Sequence, residues 1–360
     1  MTRGLFSHVD WGLLVPVTVL VFFSLTVLFS INPVFFKNQL FFFLLSLVIF
    51  ILVTNINYDV IRHYSLGIYV VSIILLLFVL ILGIESRGAV RWIEILGIRI
   101  QFSEILKPFL AVSFSTFLAG VKQKSFKEFA LSGLLLLPVA FLITVQPDLG
   151  NAIIYMLVAL LTLVIFGFPL VWFVGGGVLA AVCMPFFWKF LHDYQRQRIL
   201  TFINPTSDPL GTSYNAIQSM IAVGSGGIFG KGIGEGTQSG LLFLPEKHTD
   251  FIFATLSESF GLLGGIILFV AFGFLFFRII TIYHNSEDLY YKTFCILAFS
   301  LFLVQFFVNI GMNIGIVPVV GVTLPFVSYG GSSILSNFIL LGLLSSLSTN
   351  LHRRDTLEIR

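Results

Sequence analysis

Ten stretches of the chain are almost wholly apolar, at residues 11–30, 34–53, 64–84, 104–121, 129–145, 149–167, 169–190, 251–277, 291–314 and 327–349. At 1.5 Å of rise per residue, runs of this length approach or cross a hydrocarbon layer of roughly 30 Å. The pattern predicts an all-α polytopic membrane protein of about ten transmembrane helices. The long polar interval, residues 191–250, is predicted to be one large extracytoplasmic loop. No repeated unit and no low-complexity linker divides the chain, so residues 1–360 read as a single membrane domain.

Composition strengthens this reading. The chain is 57% hydrophobic and only 10% charged, with a mean hydropathy of +1.02, where a soluble domain is roughly 45–50% apolar. An even number of spans puts both termini on one side. Arg3, Arg62, Lys122, Lys124, Lys127, Arg278, Lys292, Arg353, Arg354 and Arg360 fall on that side, against Lys37, Arg87, Arg91 and Arg99 in the opposite short loops. The excess of basic residues predicts cytoplasmic termini. The first span runs through an Asn32-Pro33 turn straight into the second, which reads as a retained helix rather than a cleaved signal. Cys183 and Cys295 stand alone in apolar runs and offer neither a disulfide framework nor a CxxC metal site. The net charge of +3 is small, and no nucleic-acid partner is expected.

The chemistry is concentrated at the membrane boundaries. Glu246, Lys247, His248 and Asp250 place four ionisable groups just before the eighth span, where unpaired charge is costly. The 85–99 loop carries Glu85, Arg87, Arg91, Trp92, Glu94 and Arg99. Two roles fit it: a solvated loop with Trp92 in the interfacial aromatic belt, or guanidinium forks that hold a phosphate-like anion. Glu104 and Lys107 are three residues apart and share a helix face, as a tie between helices or a substrate contact. In Gln146-Pro-Asp-Leu-Gly150, Pro147 ends one helix and Asp148 caps the next, with the alternative that Asp148 lines a polar cavity. The long loop contributes Arg198, Gln218 and the glycine-rich run 224–236. That run is not a P-loop, because Gly232 follows Lys231 where Ser or Thr is required, but its amides beside Lys231 could form an anion nest. Asn309, Asn313 and the stretch 318–333 bring amides and glycines to membrane depth, which is tolerated only against protein or a wet cavity.

Leu244-Pro-Glu-Lys-His-Thr-Asp-Phe-Ile-Phe253, Gln146-Pro-Asp-Leu-Gly150 and Pro325-Phe-Val-Ser-Tyr-Gly-Gly-Ser-Ser333 resemble motifs of the SEDS family (shape, elongation, division and sporulation proteins). The resemblance covers essentially the whole chain. Asn204-Pro205, Asp208-Pro-Leu-Gly211 and Gly236-Thr-Gln238 point to its elongation-type branch rather than the division-type one. One departure is Phe102, where the family has Pro in Gln-Pro-Ser-Glu, so the fourth helix is expected to start with less of a kink.

The resemblance implies an integral-membrane peptidoglycan glycosyltransferase of the bacterial cytoplasmic membrane that polymerises lipid II into glycan strands during cell elongation. It assigns Asp250 as the catalytic residue, a general base in an inverting transfer. The growing glycan on undecaprenyl pyrophosphate is the donor, and the 4-hydroxyl of an incoming lipid II is the acceptor. Arg91, Trp92, Glu104, Lys107, Arg198, Gln218, Lys231, Glu246 and His248 are the expected substrate-binding residues. A class B penicillin-binding protein, a transpeptidase, is the implied partner. No metal-ligand spacing is present, which leaves only a divalent cation carried by the substrate pyrophosphate. Competing readings are a lipid II flippase, suggested by the intramembrane charges, and a non-catalytic scaffold for a transpeptidase. At Asp250 two effects oppose: a helix start would lower its pKa, and apolar walls would raise it.

Overall fold

The computed structural model describes residues 8–358 apart from 87–88, 96, 190–192, 205–210, 212 and 241–242; of 84–86, 89–90, 95, 98, 187, 193–194 and 350–358 only the backbone is described. Arg3, Arg87, Pro205, Asp208 and Arg360, named above, therefore lie outside the described residues, as do the side chains of Glu85, Arg353 and Arg354.

The chain begins with α1 (Trp11–Ile31) and α2 (Pro33–Thr54). Asn32 turns one into the other: its side chain accepts from the Val34 amide (2.8 Å) and Pro33 occupies the first helical position. The short α3 (Tyr58–His63) leads into α4 (Ser65–Leu82), and a three-stranded antiparallel sheet follows: β1 (Ile84–Ser86), β2 (Ala89–Ile95) and β3 (Ile98–Ile100), in that order. Next come α5 (Phe102–Ile105), α6 (Lys107–Ala119), α7 (Phe126–Val145), α8 (Leu149–Phe166) and α9 (Leu170–Trp188). The polar interval holds α10 (Asp193–Ile203), α11 (Tyr214–Ser225) and α12 (Thr237–Gly240), and the bundle closes with α13 (Ile252–Asn285), α14 (Leu289–Asn313) and α15 (Gly331–Glu358).

Among the described residues, eight helices are long and apolar enough to cross a membrane: α1, α2, α4, α7, α8, α13, α14 and the Gly331–Thr349 part of α15. The shorter apolar helices α6 and α9 occupy the fourth and seventh predicted spans. Three features were not read from the apolar pattern. The 85–99 loop is an antiparallel sheet, the 191–250 loop carries helices of its own, and the fourth span still begins in two pieces. Leu106 separates α5 from α6, and Pro108 sits in the first turn of α6, so the Pro absent at 102 is not needed for the break.

α14 and α15 form the centre of the bundle. Of their spans 72% and 89% is buried, against 17% for α2, which leaves much of its surface for lipid. Lipid tails are as apolar as Leu, so close packing and hydrogen bonds, rather than escape from water, hold these helices together. Phe326 packs edge-on against Phe338 (5.6 Å) and beside Phe302 (5.3 Å). Small polar residues of α15 tie the helix down at its far end. Ser345 Oγ donates to His8 O (2.9 Å), Ser348 Oγ donates to Asp10 (2.6 Å), and Asp10 pairs with Arg278 of α13 at 2.7 Å.

α13 is two helices joined at Gly261, whose backbone (φ 64°, ψ −158°) interrupts the hydrogen-bond ladder. Buried backbone groups released by such a break need other partners. The glycine-rich run supplies them: Leu262 N donates to Gly227 O (2.9 Å), Leu263 N to Ile228 O (3.2 Å), and Lys231 N to Glu258 O (2.9 Å). The polar interval is thereby bonded to the break in α13.

Candidate active site

A cleft of about 1110 Å³ opens at the end of the bundle where the sheet and the 191–250 helices lie. Small-molecule pockets are roughly 300–1,000 Å³, so this space suits a larger substrate. Its walls come from α2, the sheet, the start of α5, the α7–α8 turn, α10, the 246–250 turn and the 320–333 stretch.

The 246–250 turn is built by Glu246, which takes the left-handed conformation (φ 50°) and whose carbonyl accepts from the Thr249 (3.1 Å) and Phe251 (3.2 Å) amides. The 328–330 stretch stitches the turn to α2. Ser328 Oγ donates to Thr249 O (2.7 Å), Tyr329 N to His248 O (2.9 Å), Gln39 Nε2 to Ser328 O (3.2 Å), and Gly330 N to Gln39 Oε1 (3.1 Å). The His248 ring stacks on Phe35 at 4.3 Å. Opposite, Gly150 lets α8 lie against the 320–321 backbone, where a methyl group would stand 2.4 Å from Val320 O.

Asp250 lies just before α13. It does not cap that helix: the capping position is Phe251, and no side chain bonds there. Among the described residues none donates a hydrogen bond to its carboxylate. Burial pushes its pKa up to about 6 from 3.8; Glu246 adds to the rise, Arg198 and then Arg91 oppose it, and Asp148 adds a smaller rise. Burial and the Glu246 charge outweigh the two guanidinium groups, and the result is a base poised near neutral pH. Gly321 (φ 75°) leaves room for it, since a methyl group there would stand 3.2 Å from Asp250 Oδ2 and 3.9 Å from Arg198 Nη1.

Asp148 performs both roles named for it. It heads α8 with a long 3.5 Å bond from the Asn151 amide, and its Oδ2 accepts from Gln101 Nε2 (2.7 Å), Ser103 Oγ (2.9 Å) and Asn151 Nδ2 (3.0 Å). Arg91 stands 3.7 Å from its Oδ1 and keeps a buried Nε without a hydrogen-bond partner.

Of the residues expected to bind substrate, Arg91, Trp92, Glu104, Arg198, Glu246 and His248 line the cleft together with Asp250. Lys107, Gln218 and Lys231 do not. Lys107 is buried behind Glu104, with its Nζ 2.6 Å from Oε1, and acts on the cleft only by balancing that carboxylate. Gln218 lies on α11, away from the cleft wall. Lys231 is held 3.3 Å from Glu258 of α13, whose carboxylate also accepts from the Gln238 and Ser239 amides (2.9 Å each). In the glycine run the amides of Lys231 and Gly232 donate to the Glu258 and Ser259 carbonyls (2.9 and 3.1 Å), so these two are not open to an anion. Lys247 turns the same way and donates to Ser239 O. Sequence reading missed Asn38 and Gln39; their signal is two adjacent amides inside a run of Phe. Among the described residues no group of three metal-ligating side chains is present.

The sequence matches the family described as "Cell cycle protein" (FtsW/RodA/SpoVE) over residues 2–353. It is 41% identical to the peptidoglycan glycosyltransferase MrdB of Escherichia coli K12 over 317 residues, 86% of this chain and 84% of that protein. It is 34% identical to the stage V sporulation protein E of Bacillus subtilis over 319 residues, 87% and 86% of the two chains. The fold is similar to that of a chain in a structure described as "Structural coordination of polymerization and crosslinking by a peptidoglycan synthase complex" (TM-score 0.83, 28% identity, 96% and 98% covered). It is also similar to the rod shape determining protein RodA of Thermus thermophilus (TM-score 0.71, 26% identity, 94% and 96% covered). With the family matched across almost its full length, this chain belongs to the FtsW/RodA/SpoVE family, the SEDS proteins.

Proposed function

We propose that this chain is a peptidoglycan glycosyltransferase whose cleft polymerises lipid II, with Asp250 as the general base. The observation that carries the proposal is a carboxylate that accepts no hydrogen bond from the described residues, raised to about 6, in a large cleft that Arg91, Arg99 and Arg198 also line. A group of that pKa is mostly ionised at pH 7 and still accepts a proton readily. It takes the proton of the acceptor 4-hydroxyl while that oxygen bonds to the anomeric carbon of the donor sugar from the face opposite the leaving group. The bond from that carbon to pyrophosphate breaks, and its electron pair leaves on undecaprenyl pyrophosphate. Arg91 and Arg198, both on the cleft wall, offset the charge that develops there. Glu104 and His248 border the same space and supply polar contacts to sugar hydroxyls.

The excess of basic residues at the other end of the bundle supports a cytoplasmic-membrane orientation with both termini inside and the cleft facing out. A class B penicillin-binding protein is the proposed partner, supplying the cross-linking that a glycosyltransferase lacks. Purified protein, with that partner, is given lipid II in detergent and the products are sized. Glycan polymer is expected from wild type and none from Asp250→Asn; undiminished polymer from the variant removes the base assignment. Lipid II translocation in vesicles with no polymer from wild type would identify a transporter instead.

A further inference from the structure

Nothing among the described residues holds the Asp250 carboxylate at its own end, so its direction is set by the main chain. That main chain is gripped. The Asp250 carbonyl accepts from two side-chain amides, Asn309 Nδ2 and Asn313 Nδ2, each at 3.0 Å. Four residues apart on α14, the two amides share one helix face. Both are fully buried, and both are anchored elsewhere. Asn309 Nδ2 also donates to Val322 O (2.7 Å), in the stretch that carries Gly321. Asn313 Nδ2 also donates to Asn309 O (2.8 Å), while its Oδ1 accepts from Ala254 N (3.1 Å) and from Ser219 Oγ (3.2 Å). Ala254 N, the donor that a regular first turn would offer the Asp250 carbonyl, is itself held by Asn313 Oδ1, and the two side-chain amides take its place. Two donors on one carbonyl fix its peptide plane, and with it the direction in which Asp250 leaves the backbone.

We propose that Asn313, with Asn309 beside it, is a positioning residue for glycosyl transfer: the two amides clamp the Asp250 main chain so that its carboxylate points into the cleft. The proposal rests on the reading of Asp250 as the base. Misplacement of a reacting group by about 1 Å costs about 10²-fold in rate, which sets the scale of the effect. Substrate binding, spread over the arginines and the rest of the wall, is left in place.

The test measures lipid II polymerisation by Asn313→Ala, with Asn309→Ala, Ser345→Ala and Asp250→Asn prepared alongside as full chains with the partner. Asn313→Ala is expected to lower kcat by about 10²-fold and to leave KM within about twofold. The acid limb of its pH profile should move to lower pH, because a released Asp250 gains water. Asn309→Ala removes one donor and keeps the Asn313 bonds to α13 and α11; it should show a smaller loss with the same displacement, and it decides the matter if Asn313→Ala does not fold. Ser345→Ala loses buried bonds that tie α15 to residues 8–10 at the far end of the bundle and should keep wild-type kcat. Wild-type kcat and an unmoved acid limb in the asparagine variants overturn the clamp. So does a loss in Ser345→Ala equal to that in Asn313→Ala, which would make the effect one of packing alone. Full activity in Asp250→Asn would overturn the reading of Asp250 itself, whereas an inactive Asp250→Asn beside a fully active Asn313→Ala would overturn only the clamp.

Discussion

Replacing Asp250 by Asn should abolish polymerisation and at the same time stabilise the protein. The carboxyl is raised from 3.8 to about 6, and a rise of one pH unit corresponds to about 1.36 kcal/mol between the two protonation states. Keeping the charged form in the folded protein therefore costs at most about 3 kcal/mol, and water in the cleft screens this to about 1–2 kcal/mol. Below about pH 4 folded and unfolded chains both carry the proton, and the cost is absent. Between about pH 4 and pH 6 the unfolded chain has given up a proton that the folded protein still holds, so stability falls across that window and levels off above it. The neutral Asn removes this cost, and no described donor is stranded by the exchange. At about 2 °C per kcal/mol for a chain of this size, Asp250→Asn should melt about 2–4 °C above wild type at pH 8. At about pH 4, close to the pKa of the unfolded carboxyl, most of the gap should close. Melting of both proteins in detergent at the two pH values, followed by a thiol-reactive dye or light scattering, reads the difference directly. No gain at pH 8 would refute burial as the origin of the raised pKa; an equal gain at pH 4 and pH 8 would show that shape, not charge, is responsible.

The same carboxyl should give kcat/KM an acid limb near pH 6, and Glu246→Gln, which removes a like charge, should move that limb to lower pH in a polymerisation assay. Asp148→Ala strands the donors of Gln101, Ser103 and Asn151. It should cost about 2–5 kcal/mol, read as a lower melting temperature, with Asp148→Asn less severe. Glu258→Ala should release the 231–239 stretch from α13, because four donors lose their acceptor. Faster proteolysis of that stretch would be the readout, and polymerisation should fall less than in Asp250→Asn, since neither Glu258 nor Lys231 lines the cleft.

Most of the bundle was legible because crossing a membrane leaves a direct trace in composition. A span needs a long apolar run whatever it packs against, so eight membrane-length helices and two shorter ones, among the described residues, sit in the ten predicted places. Elements that satisfy one another's backbone leave no such trace. The sheet at 84–100 is too short and too charged to show an alternating pattern. α13 reads as a continuous run through Gly261 because its lost hydrogen bonds are restored from residues 227–231, about thirty positions earlier in the chain. The fourth span shows the converse: the substitution at Phe102 suggested a straighter start, yet Leu106 and Pro108 break the helix without it.

The site divides along the same line. Charge is conspicuous in a chain with so little of it, and together with the family resemblance it brought Arg91, Glu104, Arg198, Glu246, His248 and Asp250 into view as site residues, all of which line the cleft. It was a poor guide to partners. Lys231 and Glu258 are as conspicuous as Arg91 and Asp148, and only the tertiary contact shows that the first pair closes on itself while the second faces the cleft. Nor does local sequence fix the basicity of Asp250. The residues before α13 fit a helix cap, which would favour the charged carboxylate, but the helix is capped at Phe251. What faces Asp250 instead comes from β2, α10, Glu246 in its own turn, and the backbone at Gly321. Its main chain is held by amides 59 and 63 positions further on. A carboxylate with that surround behaves as a base because of what is brought to it, and the bonds that hold it there join side-chain amides to a main-chain carbonyl, a pairing that the side-chain identities do not reveal.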